Sequence, residues 1–377
     1  MDLFFPKEGK EGESRIPLVP AVAAKFVALG AEVTIETGLG ASVKIEDSAY
    51  EKVGCKITAD RKNALASADI VLRLSPPPDD EITATKKGCI HISYLDPFFN
   101  LDRVKQLAEA GTSAICMEMI PRTTIAQKMD ALSSQANLAG YVAVLQAVNR
   151  LDKIAPMMMT PAGTLAPAKV FIIGAGVAGL QAIATAKRLG ARVEAFDTRP
   201  VVEEQVASLG AKFLKIDLGE TGQTDGGYAK ELTPEQLEIQ RQAMAKACAQ
   251  ADIVITTAQL FGRKAPVLIK RDVIEGMQPG SVIVDMAAET GGNVEGSKPG
   301  EEVEQDGVII IGARNLAGCV PLDASQMYAS NLYNFIEHFW DKEANTFTLK
   351  REDEIIAGSL LTHDGAIVNE TIKEKAG

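Results

Sequence analysis

Paired cysteines, a surplus of positive charge and a long apolar run are all missing from this sequence. Five cysteines lie far apart with no C-x-x-C pair, which argues against a disulfide framework or a zinc site. We expect them to be reduced and mostly buried. Lys and Arg number 39 against 50 Asp and Glu, a net charge of -11. We therefore expect no nucleic-acid partner, because binding to a phosphate backbone begins with clustered cations.

Targeting and membrane-spanning patterns are missing too. The first ten residues, MDLFFPKEGK, lack the basic stretch before an apolar core that marks a signal or transit peptide, so we expect a cytoplasmic protein. The most apolar long stretch, 170–186, contains three glycines and a glutamine and is shorter than a bilayer crossing requires. The sequence predicts no membrane span.

Histidine is scarce, with only His91, His338 and His363 in the chain. His91 lies in an apolar strand pattern, His338 in an aromatic helical segment and His363 beside a predicted turn, so we expect structural roles. The sequence offers no Ser/His/Asp arrangement and no metal-ligand set, and we predict no metal. Hydride exchange between two nicotinamide rings needs no general acid or base, whereas dehydrogenation of an alcohol or amine does. The scarcity of histidine suits the first reaction.

The 377 residues predict two or three domains at about 150 residues each. Short Val/Ile-rich runs alternate with segments of helical period, which is typical of an α/β protein with parallel sheets. A Leu-Gly-Ala joint recurs at 29–31, 189–191 and 209–211, where a helix ends and a strand begins. The runs form two sets of predicted strands, near 2–5, 32–37, 69–74, 89–93 and 113–117, and near 169–174, 192–197, 212–216, 252–256, 281–286 and 308–312.

Two long helices are predicted at the borders of these sets, over 134–151 and 324–340, from apolar residues at helical spacing. We therefore expect two Rossmann-like parallel-sheet domains joined by long helices, with a ligand cleft between them. The first domain would comprise residues 1–135 plus 325–377, and the second residues 136–324.

The sharpest motif is KVFIIGAGVAGLQAIATAKRLGARVEAFD at 169–197. An apolar strand runs into Gly174, Gly176 and Gly179, a helix follows, and the next strand ends on Asp197. In dinucleotide sites the three glycines allow a tight turn, close approach of a pyrophosphate, and close packing of helix on strand. This order of elements predicts a dinucleotide site, with a glycine-rich turn lacking a ligand as the alternative.

Asp197 predicts NAD(H) rather than NADP(H), because a carboxylate here accepts hydrogen bonds from ribose hydroxyls and repels a 2′-phosphate. Arg199, two residues further on, is the opposing signal. The glycine- and threonine-rich segment 217–234 is predicted to be a mobile lid over the nucleotide, with a tolerated surface insertion as the alternative. The candidate cofactor-binding residues are Gly174, Gly176, Val177, Ala178, Gly179, Asp197, Thr198, Arg199, Gly227, Tyr228 and Leu260.

A second polar constellation lies in PRTTIAQKMDALSSQA at 121–136. Arg122, Gln127, Asp130 and Ser133 bring together a cation, an amide, a carboxylate and a hydroxyl, which makes them candidate catalytic residues. A helical stretch would place the last three on one side. A helix start capped by Asp130 or Ser133 explains the same pattern equally well.

These segments resemble the family of alanine dehydrogenases and proton-translocating nicotinamide nucleotide transhydrogenases, over essentially the whole chain. The likeness is strongest to the NAD(H)-binding component of the transhydrogenases. It is carried by PRTTIAQKMDALSSQANLAGY (121–141), MMMTPAGT (157–164), GAGVAGLQAIATAKRLGA (174–191), GGYAKE (226–231), PGSVIVDMAAETGGN (279–293) and DGAIV (364–368).

The resemblance implies a homodimeric subunit of a Re/Si-specific NAD(P) transhydrogenase that binds NAD(H). NADP(H) would be held by a partner component, which is joined to a membrane-spanning, proton-conducting component, so the subunit would associate with the inner membrane through its partners. By the same resemblance, Arg122, Asp130 and Ser133 hold the carboxamide and neighbouring groups of the nicotinamide. Gln127 would approach the point where the two nucleotides meet, and Tyr228 would close over the bound nucleotide.

Three departures from the alanine dehydrogenases guide the choice within the family. Arg15 matches a residue that grips the substrate carboxylate in those enzymes. Arg73, however, stands where they carry Lys, Asp96 where they carry a catalytic His, and Glu289 where they carry Asp. Each change removes a piece of the machinery for carbonyl and amine chemistry, so the transhydrogenase interpretation is favoured. A stand-alone alanine dehydrogenase-like enzyme and a non-catalytic NAD(H)-sensing module are the alternatives.

Overall fold

A computed structural model describes residues 1–217 and 233–376, and the chain divides into two compact units. Unit 1 comprises Met1–Gln135 and Gly318–Gly377, and unit 2 comprises Ala136–Ala317. The second boundary lies earlier than the expected 324/325. The reason is that the helix Pro321–His338 is continuous and contributes Tyr328, Leu332 and Phe335 to the hydrophobic core of unit 1.

Unit 1 is built on an eight-stranded sheet. Its strands in spatial order are Ala366–Ile367, Leu360–His363, Ser113–Cys116, Ile90–Ser93, Ile70–Leu72, Asp2–Phe5, Glu32–Glu36 and Lys56–Thr58. The last six are parallel neighbours in the doubly wound order, with the chain switching direction across the sheet beside its first strand. The first two form an antiparallel extension contributed by the end of the chain.

The helices of unit 1 cover this sheet. They are Pro20–Ala28, Asp47–Glu51, Arg61–Ser67, Asp79–Ile82, Leu101–Glu109, Pro321–His338, Glu354–Ser359 and Glu370–Ala376, with 3₁₀ turns at Ala41–Val43, Met117–Met119 and Ala126–Met129. The helix predicted over 324–340 begins at Pro321 and ends at His338, because Trp340 starts a short hairpin, Trp340–Asp341 with Thr346–Phe347.

Unit 2 contains a seven-stranded sheet. Its strands in spatial order are Lys212–Phe213, Arg192–Phe196, Lys169–Ile173, Ile253–Thr256, Val282–Asp285, Val308–Gly312 and Glu302–Gln305. The first six are parallel in the same doubly wound order, and Glu302–Gln305 pairs antiparallel at the edge. The central strands are apolar along their length because a parallel sheet is buried on both faces.

The other elements of unit 2 are its helices and one hairpin. They are Val177–Arg188, Glu203–Ser208, Pro234–Cys248 and Arg271–Glu275, 3₁₀ turns at Pro200–Val202 and Ala288–Thr290, and the hairpin Met158–Thr160 with Gly163–Leu165. A 20-residue helix, Ala131–Arg150, contains residues of both units and replaces the predicted 134–151. Within residues 1–217 and 233–376, no helix has both the length and the apolar character that crossing a membrane would require.

Candidate functional site

The glycine turn of unit 2 connects the strand Lys169–Ile173 to the helix Val177–Arg188. Gly174 has a φ of +99°, a conformation that residues with a Cβ rarely adopt, and a Cβ there would lie 2.4 Å from Thr257 Oγ1. A Cβ on Gly179 would lie 1.9 Å from the carbonyl oxygen of Gly174. The first and third glycines are therefore required by the packing of the turn itself.

Gly176 differs from its two neighbours because the space beside it is open. The nearest atom to a Cβ built there is Arg199 Nη2, at 4.0 Å. Gly176 is also the N-cap of the helix and provides no side-chain cap, so the first-turn N–H groups keep the orientation that suits an anion. Val177 and Ala178, the first two helical residues, are half-buried. The turn thus has the open second glycine and the uncapped helix start of a phosphate cradle.

Asp197 follows the strand Arg192–Phe196, and its carboxylate lies beside the turn. Oδ2 accepts a hydrogen bond from the backbone N–H of Ala175 at 2.8 Å. Arg199 donates from Nε to Oδ1 at 2.9 Å and from Nη2 to Oδ2 at 2.8 Å, forming a two-pronged ion pair. The hydrogen bond to Asp197 raises the pKa of the Arg199 guanidinium above its ordinary value, although burial opposes that shift. The carboxylate that the sequence assigned to ribose is therefore engaged with the chain itself.

The remaining cofactor candidates lie around this turn or outside the described residues. Thr198 is half-buried and stands in the sequence between the two members of the ion pair. Leu260 is half-buried in the stretch after the strand Ile253–Thr256. The predicted lid, 217–234, with Gly227 and Tyr228, lies almost wholly outside the described residues, so those two assignments stay predictions.

Sequence reasoning missed three residues that support the site. Thr257 donates from its hydroxyl to the carbonyl of Gly174 at 3.2 Å. The fully buried Asp285 accepts hydrogen bonds from the backbone N–H groups of Ala287 and Asn293 at 2.9 to 3.2 Å. Asn293 in turn accepts from the N–H of Ala258 and donates to its carbonyl, fixing the stretch that leads to Leu260. For Thr257 and Asp285 the available signal was a polar residue directly at the end of a buried strand.

The second constellation lies in unit 1, at the start of the long helix. Asp130 has an extended backbone and caps that helix: its carboxylate accepts from the backbone N–H of Ser133 at 2.8 Å and from its hydroxyl at 2.6 Å. Arg122 Nε lies 4.0 Å from Asp130 Oδ2, and about two fifths of the Arg122 side chain is exposed. The structure therefore brings Arg122, Asp130 and Ser133 together.

Gln127 is placed differently from the expectation of one helical face. It lies in the separate 3₁₀ turn Ala126–Met129 with an exposed side chain, and its carbonyl accepts a hydrogen bond from Asp130 N–H at 3.3 Å. The extended backbone of Asp130 ends the turn before the helix begins, so the i, i+3, i+6 spacing does not describe one helix. The helix-cap alternative for Asp130 is confirmed, and it leaves the hydroxyl of Ser133 bound to the same carboxylate.

The positions that separate this chain from the alanine dehydrogenases are occupied as follows. Arg73 is buried and pairs with Glu81 at 2.8 Å. Arg15 donates two hydrogen bonds to Glu13 and a third to Gln135. Asp96 and Glu289 are exposed. Arg73 and Arg15 are thus both engaged by carboxylates of the chain.

The histidines have the structural roles that the sequence predicted for them. His91 is buried, its Nε2 lies 2.9 Å from Ser93 Oγ, and burial lowers its pKa to about 3. His363 Nδ1 lies 2.9 Å from Ser113 Oγ. His338 ends the helix Pro321–His338 and stacks edge-on against Phe339. All three belong to unit 1, whereas the glycine turn belongs to unit 2.

Two sheets of doubly wound order, one with a glycine turn and a strand-end acid, define a Rossmann-type α/β protein of the dinucleotide-binding class. Residues 4–139 match the family model described as "Alanine dehydrogenase/PNT, N-terminal domain", and residues 143–370 match "Alanine dehydrogenase/PNT, C-terminal domain". The chain belongs to the alanine dehydrogenase/PNT family.

Within that family the transhydrogenase branch is the more similar. One relative is the first of the polypeptides that make up NAD(P) transhydrogenase subunit alpha in Rhodospirillum rubrum, 44% identical over 376 residues and covering 98% of each chain. The alanine dehydrogenase of Halomonas elongata is 28% identical, covering 100% of this chain and 97% of that one. The crystal structure of transhydrogenase from Sinorhizobium meliloti matches with a TM-score of 0.85 at 41% identity, covering 98% of this chain and 100% of that one.

Proposed function

We propose that this chain is the NAD(H)-binding subunit of a proton-translocating NAD(P) transhydrogenase. It passes hydride between NADH and NADP⁺, the latter held by a partner component. The observation that carries the proposal is the glycine turn of unit 2, whose open second glycine and adjacent Asp197 suit NAD(H). The full-length similarity to transhydrogenase alpha subunits supports the same assignment.

The nicotinamide end of the cofactor is assigned to the Asp130 cluster. Asp130 and Ser133 offer a fixed carboxylate and hydroxyl, and Arg122 adds a partly exposed cation at 4.0 Å. Such groups suit the amide and the neighbouring oxygens of a nicotinamide nucleotide. Gln127, exposed in its own turn, is assigned to the approach of the second nucleotide. Hydride transfer then depends on bringing two rings to about van der Waals contact, not on a proton-transfer residue.

The chemistry argues against the alanine dehydrogenase alternative. Arg73 and Arg15 are bound to Glu81 and Glu13, and the position of the catalytic histidine holds the exposed Asp96. NADH supplies the hydride when it is bound. The side chains of this chain position it, and the acceptor comes from a second polypeptide that is joined to the membrane-spanning, proton-conducting component.

We assign a homodimer to this subunit on the basis of its exposed hairpin. The strands Met158–Thr160 and Gly163–Leu165 are exposed along their whole length. Three consecutive methionines end in this hairpin, and Met159 is 73% exposed. Apolar side chains grouped on a surface in this way mark contact sites between proteins. A second copy of the chain is the occupant that this assignment names.

The deciding experiment is reconstitution of hydride transfer. Purified chain is mixed with an NADP(H)-binding transhydrogenase component, and transfer from NADH, deuterated on one face of C4 at a time, is followed spectroscopically. Deuterium transfer from one face only supports the proposal and its Re/Si character. Oxidation of alanine without a partner would instead establish the dehydrogenase alternative, and nucleotide binding with no transfer would establish the sensing module.

A further inference from the structure

We propose that Arg199 is a displaceable gate on cofactor selection. Its guanidinium occupies the Asp197 carboxylate until the adenosine ribose of NAD(H) takes its place. The inference rests on the proposed function, because it describes how the cofactor of that function is admitted and distinguished from NADP(H).

The hydrogen bonds at Asp197 fill its acceptor capacity. Oδ1 accepts from the backbone N–H of Arg199 and from Arg199 Nε, both at 2.9 Å. Oδ2 accepts from the backbone N–H of Ala175 and from Arg199 Nη2, both at 2.8 Å. A carboxylate has about four lone-pair directions. A ribose hydroxyl can therefore bind this carboxylate only after the Arg199 side chain has left it.

The two kinds of donor have different freedom. The backbone N–H groups of Ala175 and Arg199 hold the carboxylate in position at the end of the strand. The other two bonds come from a long, flexible side chain whose planar fork matches a carboxylate. The side chain of Asp197 is 6% exposed and that of Arg199 16%, so the arginine is the outer member of the pair. Turning Arg199 away uncovers an acceptor that is already placed.

The guanidinium also lies in the path of the ligand. Nη2 is the nearest atom to the open side of Gly176, the glycine beside which a pyrophosphate would lie. A dinucleotide seated on the turn therefore meets Arg199 both at the pyrophosphate side and at the ribose acceptor. Binding of NAD(H) must exchange two charge-assisted hydrogen bonds for bonds from ribose hydroxyls.

The same pair sets the distinction between the two cofactors. A bare carboxylate repels a 2′-phosphate, whereas a carboxylate paired with arginine presents little net charge to it. Removing the Arg199 guanidinium should strengthen NADH binding, because competition for Asp197 is lost. It should not strengthen NADPH binding, because the unpaired Asp197 then faces the 2′-phosphate. Arg199 thus lowers affinity and also lowers selectivity.

Calorimetric titration of NADH and NADPH into the full chain tests the gate, using native protein, Arg199→Gln and Arg199→Lys. The matched control is Arg192→Gln, which removes an exposed arginine from the strand leading to Asp197. We expect Arg199→Gln to bind NADH about tenfold more tightly, which is about 1.4 kcal/mol. NADPH affinity should be unchanged or weaker, Arg199→Lys intermediate, and the control should match the native protein.

The outcomes separate the two proposals. NADH affinity that is unchanged or weaker in Arg199→Gln and Arg199→Lys overturns the gate while leaving the proposed function intact. An equal gain for NADPH overturns it as well, because the selectivity argument then fails. Native chain that binds neither nucleotide overturns the proposed function and the gate together. Melting temperatures of all variants identify any loss of folding, and Arg199→Lys, which keeps the charge, supplies the answer if Arg199→Gln is unstable.

Discussion

A Cβ placed on Gly140 would lie 2.1 Å from the carbonyl oxygen of Ala178. Gly140 belongs to the long helix Ala131–Arg150, and Ala178 to the first turn of the helix that follows the glycine turn. The two helices therefore touch backbone to backbone within unit 2. This contact supports the start of the helix that we assign to the cofactor phosphates.

Substituting Gly140 with Ala should damage both stability and binding. The added methyl group meets a backbone carbonyl that has no rotamer to change, so the helix Val177–Arg188 must shift. We expect the free energy of unfolding to fall by about 1–3 kcal/mol and NADH affinity to fall with it. Urea unfolding and calorimetric titration measure the two effects. Gly276→Ala is the control, because a Cβ there makes only ordinary contacts of 3.5 Å or more; equal losses in both variants would contradict the prediction.

Asp130 should show separable structural and binding roles. Asp130→Ala removes the cap on the long helix and should lower the free energy of unfolding by about 1 kcal/mol, besides weakening NADH binding. Asp130→Asn keeps a carbonyl oxygen for the N–H of Ser133, so it should retain most of the stability while losing the charge that faces Arg122. Urea unfolding and calorimetric titration of NADH measure the two roles separately.

The control for this pair is Asp60→Ala, which removes the cap of the helix Arg61–Ser67, where the Asp60 carboxylate accepts from Asn63 N–H at 3.1 Å. It should lower stability without changing NADH affinity. Full NADH affinity in both Asp130 variants would remove Asp130 from the binding site and leave it as a helix cap only.

Gln127 should matter for hydride transfer and not for folding. Its side chain is exposed, so Gln127→Met should change the free energy of unfolding by less than about 0.5 kcal/mol. We expect NADH affinity to stay within about twofold and the single-turnover transfer rate to fall about tenfold or more, since misplaced rings react slowly. Gln106→Met, an exposed glutamine of the helix Leu101–Glu109, serves as the control. A native transfer rate in Gln127→Met would remove this role.

The buried His91 makes the stability of unit 1 dependent on pH. Burial lowers its pKa to about 3, so the folded chain keeps it neutral while the unfolded chain binds a proton below about pH 6.5. Its stabilising contribution is present above pH 6.5 and is lost as the pH falls towards 3. Between pH 7 and pH 5 the loss should be about 2 kcal/mol. Urea titrations of native chain and His91→Asn measure this difference; identical pH slopes in the two proteins would refute it.

The hairpin of unit 2 should control assembly. Met159→Glu places a charge on its most exposed methionine and should convert a homodimer to monomer at micromolar concentration in sedimentation experiments. Met327→Glu, on a helix of unit 1 and about half exposed, should leave the dimer intact. A native chain that sediments as a monomer, or a dimer insensitive to Met159→Glu, would contradict the assigned interface.

The strands that were predicted from the sequence are those with continuous apolar runs, such as 169–173 and 253–256. Strands that were missed lack such runs. Lys56–Thr58 has three residues and a partly exposed pattern, and Glu302–Gln305 carries acidic residues at an exposed edge. Likewise, the order of strands within each sheet depends on contacts between distant segments, which local periodicity does not encode.

The sequence alone determined the elements whose causes are local: the left-handed glycine of the turn, the helix start after it, and the acid at the end of the following strand. Tertiary structure decided what these groups touch. Arg199 folds back on Asp197, and Asp285 with Asn293 fixes a stretch of backbone far along the chain. Such partners depend on how strands and loops are packed in space, because a carboxylate takes whichever donors the fold brings within about 3 Å.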